Sequence, residues 1–216
     1  MRDILRPRSI SYGMKKILIA TKNPGKIQEY MELLKGEPFE FVTLNDIKIT
    51  MSIDEDGETM EENAVKKAVH YAYFSNLPAL ADDGGIEIEA LNGEPGVKTR
   101  RWPGYEATDE ELVDMALEKM KGVPWEKRKA RFRVLVAFAI PNEENVWVRE
   151  GVKEGYITET ATPIVRGYPF RSIFWFPETK KMWAEHTPEE EDKLVLHRKQ
   201  AVEQLLPIIK KELEKE

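Results

Sequence analysis

Hydrophobic positions along the chain follow two spacings, one typical of strands and one typical of helices. Short apolar runs bounded by turn residues predict strands, whereas apolar positions three or four residues apart predict helices. The two longest predicted strands are joined by the five residues 141–145, which is typical of an antiparallel hairpin. Strands that alternate with helices and are interrupted by one hairpin indicate the α/β class with a mixed sheet. The predicted strands cover residues 15–21, 39–44, 78–81, 86–90, 131–140, 146–156 and 173–176, and the predicted helices cover residues 24–35, 60–74, 109–121 and 196–214.

Polar residues at two of the predicted helix starts support these boundaries. Thr59 with Glu62, and Thr108 with Glu111, have the three-residue spacing of capping boxes, in which each side chain bonds the backbone N–H of the other residue. Inside the last helix, Pro207 lacks the N–H that a helix interior uses, so it predicts a kink or a break.

Composition narrows the classes of protein to which the chain can belong. Its 216 residues, 41% of them hydrophobic, are enough to bury a core, and there is no cysteine for a disulfide or a thiolate metal site. The net charge of −6 argues against a general nucleic-acid binder, because a phosphate backbone attracts basic surfaces. No apolar run reaches the roughly 18 residues of a membrane span, and no signal-like segment opens the chain. We therefore expect no nucleic-acid or membrane partner and a cytoplasmic location.

Residues 1–13 look appended, because the first predicted strand begins naturally after Met14. We interpret them as an N-terminal extension that is flexible, as chain termini commonly are. Residues 14–216 contain no internal repeat and no low-complexity linker, which predicts a single domain.

The segment Ala20–Lys26 joins the first strand to the first helix and has the features of an anion site. Backbone N–H groups at a helix start and the helix dipole favour a bound anion. Thr21 and Asn23 add short polar groups, and Lys22 and Lys26 add positive charge. The segment does not match the Walker A pattern. The alternative is an ordinary capped helix with solvated lysines.

Two adjacent carboxylates, Asp82 and Asp83, follow a short apolar run and precede Gly84 and Gly85. Neighbouring side chains on a strand point to opposite faces, so one aspartate can face a cleft while the other holds the turn or a nearby backbone N–H. An aspartate at a strand end suits Mg²⁺, which takes one or two protein carboxylates and leaves its other positions to water and phosphates. The glycines let the backbone or a substrate approach closely. The alternative is a solvated Asp-Gly turn.

Three other segments carry groups that could complete such a site. Asp54 and Glu55 lie in an acidic loop that could supply a second metal carboxylate or be a solvated charge run. The segment 166–177 is dense in aromatic residues, of which one or two could stack on a base while the rest form core. His197 and Arg198 open the last helix, and arginine can fork onto phosphate or a base oxygen.

The order of these segments, rather than any one of them, resembles the inosine triphosphate pyrophosphatase family. The resemblance extends from Met14 to about Leu206, and the pairing of T-x-N-x-x-K with a later A-D-D-x-G is its most specific part. It implies an elongated α/β fold with a mixed sheet, flanking helices and two lobes around a central cleft, and usually a homodimer. The segments that carry it are TKNPGK, DEDGETMEENAVKKA, LPALADDGGIEIEALNGEPGV, TDEELVDMALEKM, ARF, WAEHTPEEE and HRKQAV.

The resemblance implies hydrolysis of a nucleoside triphosphate, such as ITP, dITP or XTP, to the monophosphate and pyrophosphate with Mg²⁺. It also implies roles for individual residues on the triphosphate side of the site. Thr21, Asn23 and Lys26 would hold phosphates, Asp83 would bind Mg²⁺ and accept the proton, and Asp54 or Glu55 would be the second acidic contact to the metal. Apart from the resemblance, Lys22 adds positive charge for binding substrate, and Lys26 is our candidate for neutralising the charge that develops in the reaction.

On the base side the sequence departs from the family pattern. His197 and Arg198 would contact substrate near the base, with Tyr168 and Phe170 as the aromatic candidates. The family commonly has Ser at Gly84, so one polar substrate contact is missing there. Arg171 stands where the family commonly has Asp, which reverses the charge beside the base. The usual Lys before the His-Arg pair is matched by Lys193 only with a shift of one residue.

We therefore expect a Mg²⁺-dependent nucleoside-triphosphate pyrophosphatase. Two alternatives remain open because the base-reading half is rewritten. The same reaction could act on a different or modified nucleotide, or the protein could bind nucleotides without hydrolysing them.

Overall fold

A computed structural model describes residues 14–214 of the chain. The predicted extension at residues 1–13 lies outside the described residues, so its flexibility stays a prediction. The described chain forms one seven-stranded sheet in the order β2-β1-β3-β4-β5-β6-β7, flanked by helices. The strands are β1 (Lys16–Ile19), β2 (Glu40–Thr43), β3 (Ala79–Ile88), β4 (Lys129–Ala139), β5 (Val146–Ile157), β6 (Phe174–Phe176) and β7 (Lys181–Met182), and the helices are α1 (Pro24–Leu33), α2 (Met60–Ser75), α3 (Asp109–Lys119), α4 (Pro188–Lys193) and α5 (His197–Glu214).

The sheet is mixed, as the sequence predicts. Strand β1 is parallel to β2 and β3, whereas β3, β4, β5, β6 and β7 pair antiparallel in succession. Parallel neighbours need a crossover connection, and α1 and α2 supply it between β1, β2 and β3. The predicted hairpin is confirmed, because β4 and β5 pair from Lys129↔Tyr156 to Ala139↔Val146.

One strand corrects the sequence-based prediction. The sequence predicts two strands around a turn at Asp82–Gly85, but β3 is continuous through these residues. Strand β1 pairs with β3 only up to Ile19↔Leu80, whereas β4 pairs with it as far as Ile88. The aspartates therefore lie where β1 has ended and β3 runs on. The glycines serve close packing and not a turn, because a Cβ at Gly85 would lie 2.3 Å from the carbonyl oxygen of Gly96.

Three clusters of buried hydrophobic residues divide the molecule into two lobes. In the first lobe, α1 and α5 cover one face of the sheet, and α2 covers the other. In the second lobe, α3 and the segment around Phe174 pack on the outer parts of β3, β4 and β5. The predicted two-lobed α/β architecture is thus confirmed, and β3 and β4 pass through both lobes.

The helix signals are confirmed with two exceptions. Both predicted capping boxes, at Thr59 and Thr108, are present. Met31, which the helical spacing assigns to the buried face of α1, is 40% exposed. Helix α5 does not break at Pro207, because the stripe containing Leu205 and Ile209 is buried against the sheet and holds the helix across that position. No helix within residues 14–214 is long and apolar enough to cross a membrane.

Candidate functional site

A cleft of about 1000 Å³ opens between the two lobes. It lies where β1 ends and β3 continues, so the loop after β1 forms one wall and the middle of β3 forms the floor. Most of the predicted site residues line it. They are Thr21, Lys22, Asn23, Lys26, Glu55, Asp83, Gly84, Tyr168, Phe170, Arg171, His197 and Arg198.

The start of α1 is capped by its own side chain. The side-chain oxygen of Asn23 accepts hydrogen bonds from the backbone N–H groups of Gly25 at 2.9 Å and Lys26 at 3.3 Å. Asn23 therefore caps the helix, as in the alternative interpretation of this segment, and these two N–H groups are not free for an anion. The groups that the helix start still offers to a ligand are the helix dipole, the side-chain nitrogen Nδ2 of Asn23, and the ammonium groups of Lys22 and Lys26. Lys22 reaches the carbonyl of Thr50 at 2.5 Å.

Asp82 and Asp83 point to opposite faces of β3, as strand periodicity requires. Asp82 faces α1 and α5 and is 1% exposed. Its Oδ2 lies 3.0 Å from Nζ of Lys26 and 2.8 Å from Nη2 of Arg198. The sequence predicts that this aspartate holds a turn or a backbone N–H, and that prediction is wrong. Although burial raises its pKa, the charges of Lys26 and Arg198 hold the pKa of Asp82 well below its usual range.

Asp83 faces α2 and lines the cleft. Its Oδ2 accepts a hydrogen bond from Nδ2 of Asn63 at 2.9 Å, and its Oδ1 accepts one from the N–H of Gly84, also at 2.9 Å. Burial raises the pKa of the Asp83 carboxyl, the neighbouring charge of Lys67 lowers it, and that of Glu55 raises it; the net shift is upward. Asp83 is therefore a stronger base than an ordinary aspartate and has a fixed orientation.

Asn63 and Lys67 lie beside Asp83 and are missing from the sequence-based prediction. Asn63 is fully buried and also accepts the N–H of Gly57 at 2.8 Å, so it ties the acidic loop to Asp83. Lys67 donates to the backbone carbonyl of Asp82 at 2.6 Å. A signal exists in the sequence, because both lie on the helix stripe that includes the buried Ala64. Polar residues on a buried stripe call for polar partners.

Of the two carboxylates that the sequence offers as alternatives in the acidic loop, Glu55 is the one that lines the cleft. Glu55 lines the cleft and forms an ion pair with Lys67, whereas Asp54 is exposed and is not among the residues that line the cleft. Within residues 14–214, no group of three or more histidine, aspartate or glutamate side chains could hold a metal ion. The remaining pair, Asp83 and Glu55, fits a hard divalent cation that takes one or two carboxylates and completes its shell with water and phosphate.

The other end of the cleft is aromatic. The ring of Tyr168 packs on the start of α1, where a Cβ at Gly25 would lie 2.2 Å from its hydroxyl. Phe170 is buried against Trp102, with 6.3 Å between ring centroids. The guanidinium of Arg171 lies over the ring of Tyr168.

His197 and Arg198 begin α5 and are both buried. The helix start lies so close to β5 that a Cβ at Gly151 would be 1.7 Å from the carbonyl oxygen of His197. The His197 ring stacks on Phe132 at 5.5 Å. Burial, followed by the charge of Arg198, lowers the pKa of His197 well below its usual range, so the ring is neutral.

The guanidinium of Arg198 is already engaged by two carboxylates. Arg198 bonds Asp82 and also Glu29, with 2.5 Å between its Nη1 and the Glu29 oxygen. Its predicted contact with substrate therefore has to be made alongside these ion pairs. Lys193, the shifted match to the family lysine, is exposed at the end of α4 and is not among the residues that line the cleft.

Known proteins resemble this chain over most of its length. The sequence profile of the Ham1 family matches residues 17–208. A dITP/XTP pyrophosphatase of Bacillus subtilis is 38% identical over 196 residues, which cover 91% of this chain and 98% of that protein. One of Halalkalibacterium halodurans is 40% identical over 192 residues, covering 89% and 97%.

Solved structures also resemble this chain over most of its length. A HAM1 protein from Coxiella burnetii is 35% identical, covers 92% of this chain and 100% of its own, and has a TM-score of 0.80. The Staphylococcus aureus Ham1 protein is 28% identical with the same coverage and a TM-score of 0.78. The predicted relationship is confirmed: this chain belongs to the Ham1 family.

Proposed function

We propose that this protein is a nucleoside-triphosphate pyrophosphatase that hydrolyses deaminated purine nucleotides such as ITP, dITP and XTP to the monophosphate and pyrophosphate. The names of its relatives from Bacillus subtilis and Halalkalibacterium halodurans support the reaction and the substrate class. The observation that carries the proposal is that a single cleft brings the candidate groups together. Its lining includes the carboxylate of Asp83, the ammonium of Lys67 and the start of α1.

The chain's own groups suit a triphosphate. Lys22, Lys26 and Lys67 line the cleft, and the positive end of the α1 dipole faces it, so negative charge is favoured there. Lys26 is held by Asp82 at 3.0 Å, which fixes its position before a substrate arrives. Groups that are already oriented stabilise charge developing on phosphate oxygens without reorganising, which is where electrostatic catalysis contributes most.

Asp83 is our candidate for the group that orients and deprotonates the attacking water. Its raised pKa makes it a better proton acceptor than an exposed carboxylate. Asn63 holds one carboxylate oxygen at 2.9 Å, which limits the orientations of the group. Water that attacks the α-phosphorus with pyrophosphate as the leaving group would give the monophosphate.

The family suggests a divalent metal cofactor, and we propose Mg²⁺. Asp83 and Glu55 are the side chains that would hold it, and Asp54 remains outside. When bound, the ion would neutralise phosphate charge and favour ionisation of water. Lys67 forms an ion pair with Glu55, so the Glu55 carboxylate would contact both Lys67 and the ion.

Replacement of Asp83 by Asn tests this proposal. We expect the variant to lose at least about 100-fold in kcat for pyrophosphate release from ITP, because general-base contributions are commonly of that order or larger. Asp114→Asn on the exposed side of α3 is the matched control and should leave kcat unchanged. An Asp83→Asn enzyme with the kcat of the parent would contradict the mechanism.

A second candidate keeps the reaction and changes the nucleotide. Arg171 lines the cleft and carries donors only, so it would favour a base edge with acceptors, which guanine presents as well as hypoxanthine and xanthine. A panel of ribo- and deoxyribonucleoside triphosphates, scored by pyrophosphate released, separates the two. A clear preference for ITP or XTP supports the first candidate. Saturable binding without turnover would instead indicate a protein that binds nucleotides and does not hydrolyse them.

We further propose, from the family relationship, a homodimer that acts in the cytoplasm, with the two lobes forming one domain. Sedimentation equilibrium tests the dimer. A single monomeric species across the accessible concentration range would argue against it.

A further inference from the structure

The guanidinium of Arg171 lies over two aromatic rings that line the cleft. Its Cζ lies 4.0 Å from the centroid of the Tyr168 ring and 4.4 Å from that of the Trp183 ring. The side chain is 17% exposed, so the guanidinium is mostly enclosed while part of it still reaches the cleft. Contact with two rings restricts the positions open to the guanidinium, and the N–H groups that line the cleft are the part able to meet a ligand.

The donors of Arg171 are not used by the protein. Its nearest acidic atoms are an oxygen of Glu191 at 3.6 Å and one of Glu29 at 3.9 Å. Both distances exceed a hydrogen bond, so these carboxylates balance the charge without occupying the donors. Across residues 14–214 the guanidinium makes no hydrogen bond. The neighbouring Arg198, by contrast, donates to Asp82 at 2.8 Å and to Glu29 at 2.5 Å.

A planar pair of parallel N–H donors matches one edge of a 6-oxopurine. Arginine pairs with the O6 and N7 acceptors of guanine through two hydrogen bonds, and hypoxanthine and xanthine present the same two oxygen and nitrogen acceptors. Adenine presents an amino group at position 6, which would oppose an arginine donor.

We propose that Arg171 is a specificity-determining residue that selects 6-oxopurine nucleotides through hydrogen bonds to O6 and N7. The inference rests on the proposed function and adds the atoms by which the base is read. It also has a consequence for guanine, which shares both acceptors. Discrimination against guanine has to come from groups that meet the other edge of the base.

The first test needs no variant. ITP and 7-deaza-ITP differ in the N7 acceptor, which the second nucleotide lacks. We expect the unmodified protein to bind 7-deaza-ITP about 10-fold more weakly than ITP, since one hydrogen bond from a charged donor is lost. Binding is measured by calorimetry without a divalent metal, and KM by pyrophosphate release with it. Equal affinity for the two nucleotides would overturn the proposal.

Arg171→Ala and Arg171→Lys make the second test. Loss of the two-donor contact should raise KM for ITP roughly 10- to 100-fold with kcat retained, because the contact is the same in the bound and reacting states. In Arg171→Ala the ratio between ITP and 7-deaza-ITP should fall to about one, and Arg171→Lys, which keeps the charge and loses the fork, should restore little of it. Arg131→Ala, at an exposed position on β4, is the matched control and should keep the parent ratio.

The outcomes separate this inference from the function on which it rests. If Arg171 held phosphate instead, its loss would weaken ITP and 7-deaza-ITP equally and leave their ratio unchanged, which would overturn the inference alone. If the protein released no pyrophosphate from any nucleotide but bound ITP in preference to 7-deaza-ITP, the proposed reaction would fail and the reading of the base by Arg171 would stand.

Discussion

A buried set of charges beneath the cleft makes a quantitative prediction about stability. Asp82 and Arg198 are almost fully buried and bonded to each other, and the set is completed by Lys26 on Asp82 and Glu29 on Arg198. The four side chains carry two positive and two negative charges. Replacing Asp82 by Asn keeps the shape of the side chain but leaves two cations facing one carboxylate.

The expected cost follows from the burial. Removing one partner of a buried ion pair typically costs about 3–5 kcal/mol, because the other charge stays out of water without compensation. Glu29 still pairs with Arg198, and Lys26 is 19% exposed, so we expect the lower end, about 3 kcal/mol. In a chain of this size that lowers Tm by roughly 6–12 °C. The loss should vanish in strong acid, because the lowered pKa of Asp82 contributes its full stability above the ordinary carboxylate pKa and loses that contribution as the pH falls through the lowered value.

The second half of the test is a double-mutant cycle with Arg198→Met. The double variant retains Glu29 and Lys26, one charge of each sign, so its loss should be smaller than the sum of the two single losses by about 2 kcal/mol or more. Urea unfolding followed by the fluorescence of the five tryptophans measures each stability. Glu118→Gln removes an exposed pair with Lys121 and should cause no resolvable change. Losses that add to within about 0.5 kcal/mol would refute the reasoning.

Two further predictions concern the catalytic carboxylate and the packing of α5. Glu55 raises the pKa of Asp83, so Glu55→Gln should move the acidic limb of the kcat/KM profile to lower pH, and a limb that stays in place or moves up would count against Asp83 as the base. Gly151→Ala should destabilise the fold by roughly 1–3 kcal/mol in thermal unfolding, because the new Cβ would lie 1.7 Å from the carbonyl oxygen of His197 and α5 has to shift; an unchanged Tm would show that this approach is not rigid.

The sequence predicts helices well where their ends are encoded locally. Thr59 and Thr108 specify the start of a helix through residues three positions away, and both capping boxes form. The break expected at Asp82–Gly85 fails because a strand's continuity depends on its partner. Strand β3 is paired with β4 along the whole length of β3, and no local feature of the β3 sequence predicts this pairing.

The residues of the site also fall into two groups, those that a local motif reveals and those that it does not. Asp83 and Lys26 are found from short motifs, and both line the cleft. Asn63 and Glu29 are missed because their roles arise from tertiary contacts: Asn63 meets a strand twenty residues away in the chain, and Glu29 meets Arg198 at the far end of it. Strand periodicity places Asp82 and Asp83 on opposite faces and so separates their roles. The partners of each aspartate are set by the helices that cover the two faces of β3.

The continuity of β3 through both lobes limits how the walls of the cleft can move. Its ladder with β4 extends without interruption from Ala79↔Ala139 to Ile88↔Ala130, and Asp83 sits in the middle of it. The lobes therefore cannot open by a hinge motion, since that would break backbone hydrogen bonds between β3 and β4 beneath the Asp83 carboxylate. Adjustment to a substrate has to come from a change in twist along these two strands and from the loops at the rim, while the floor stays in register.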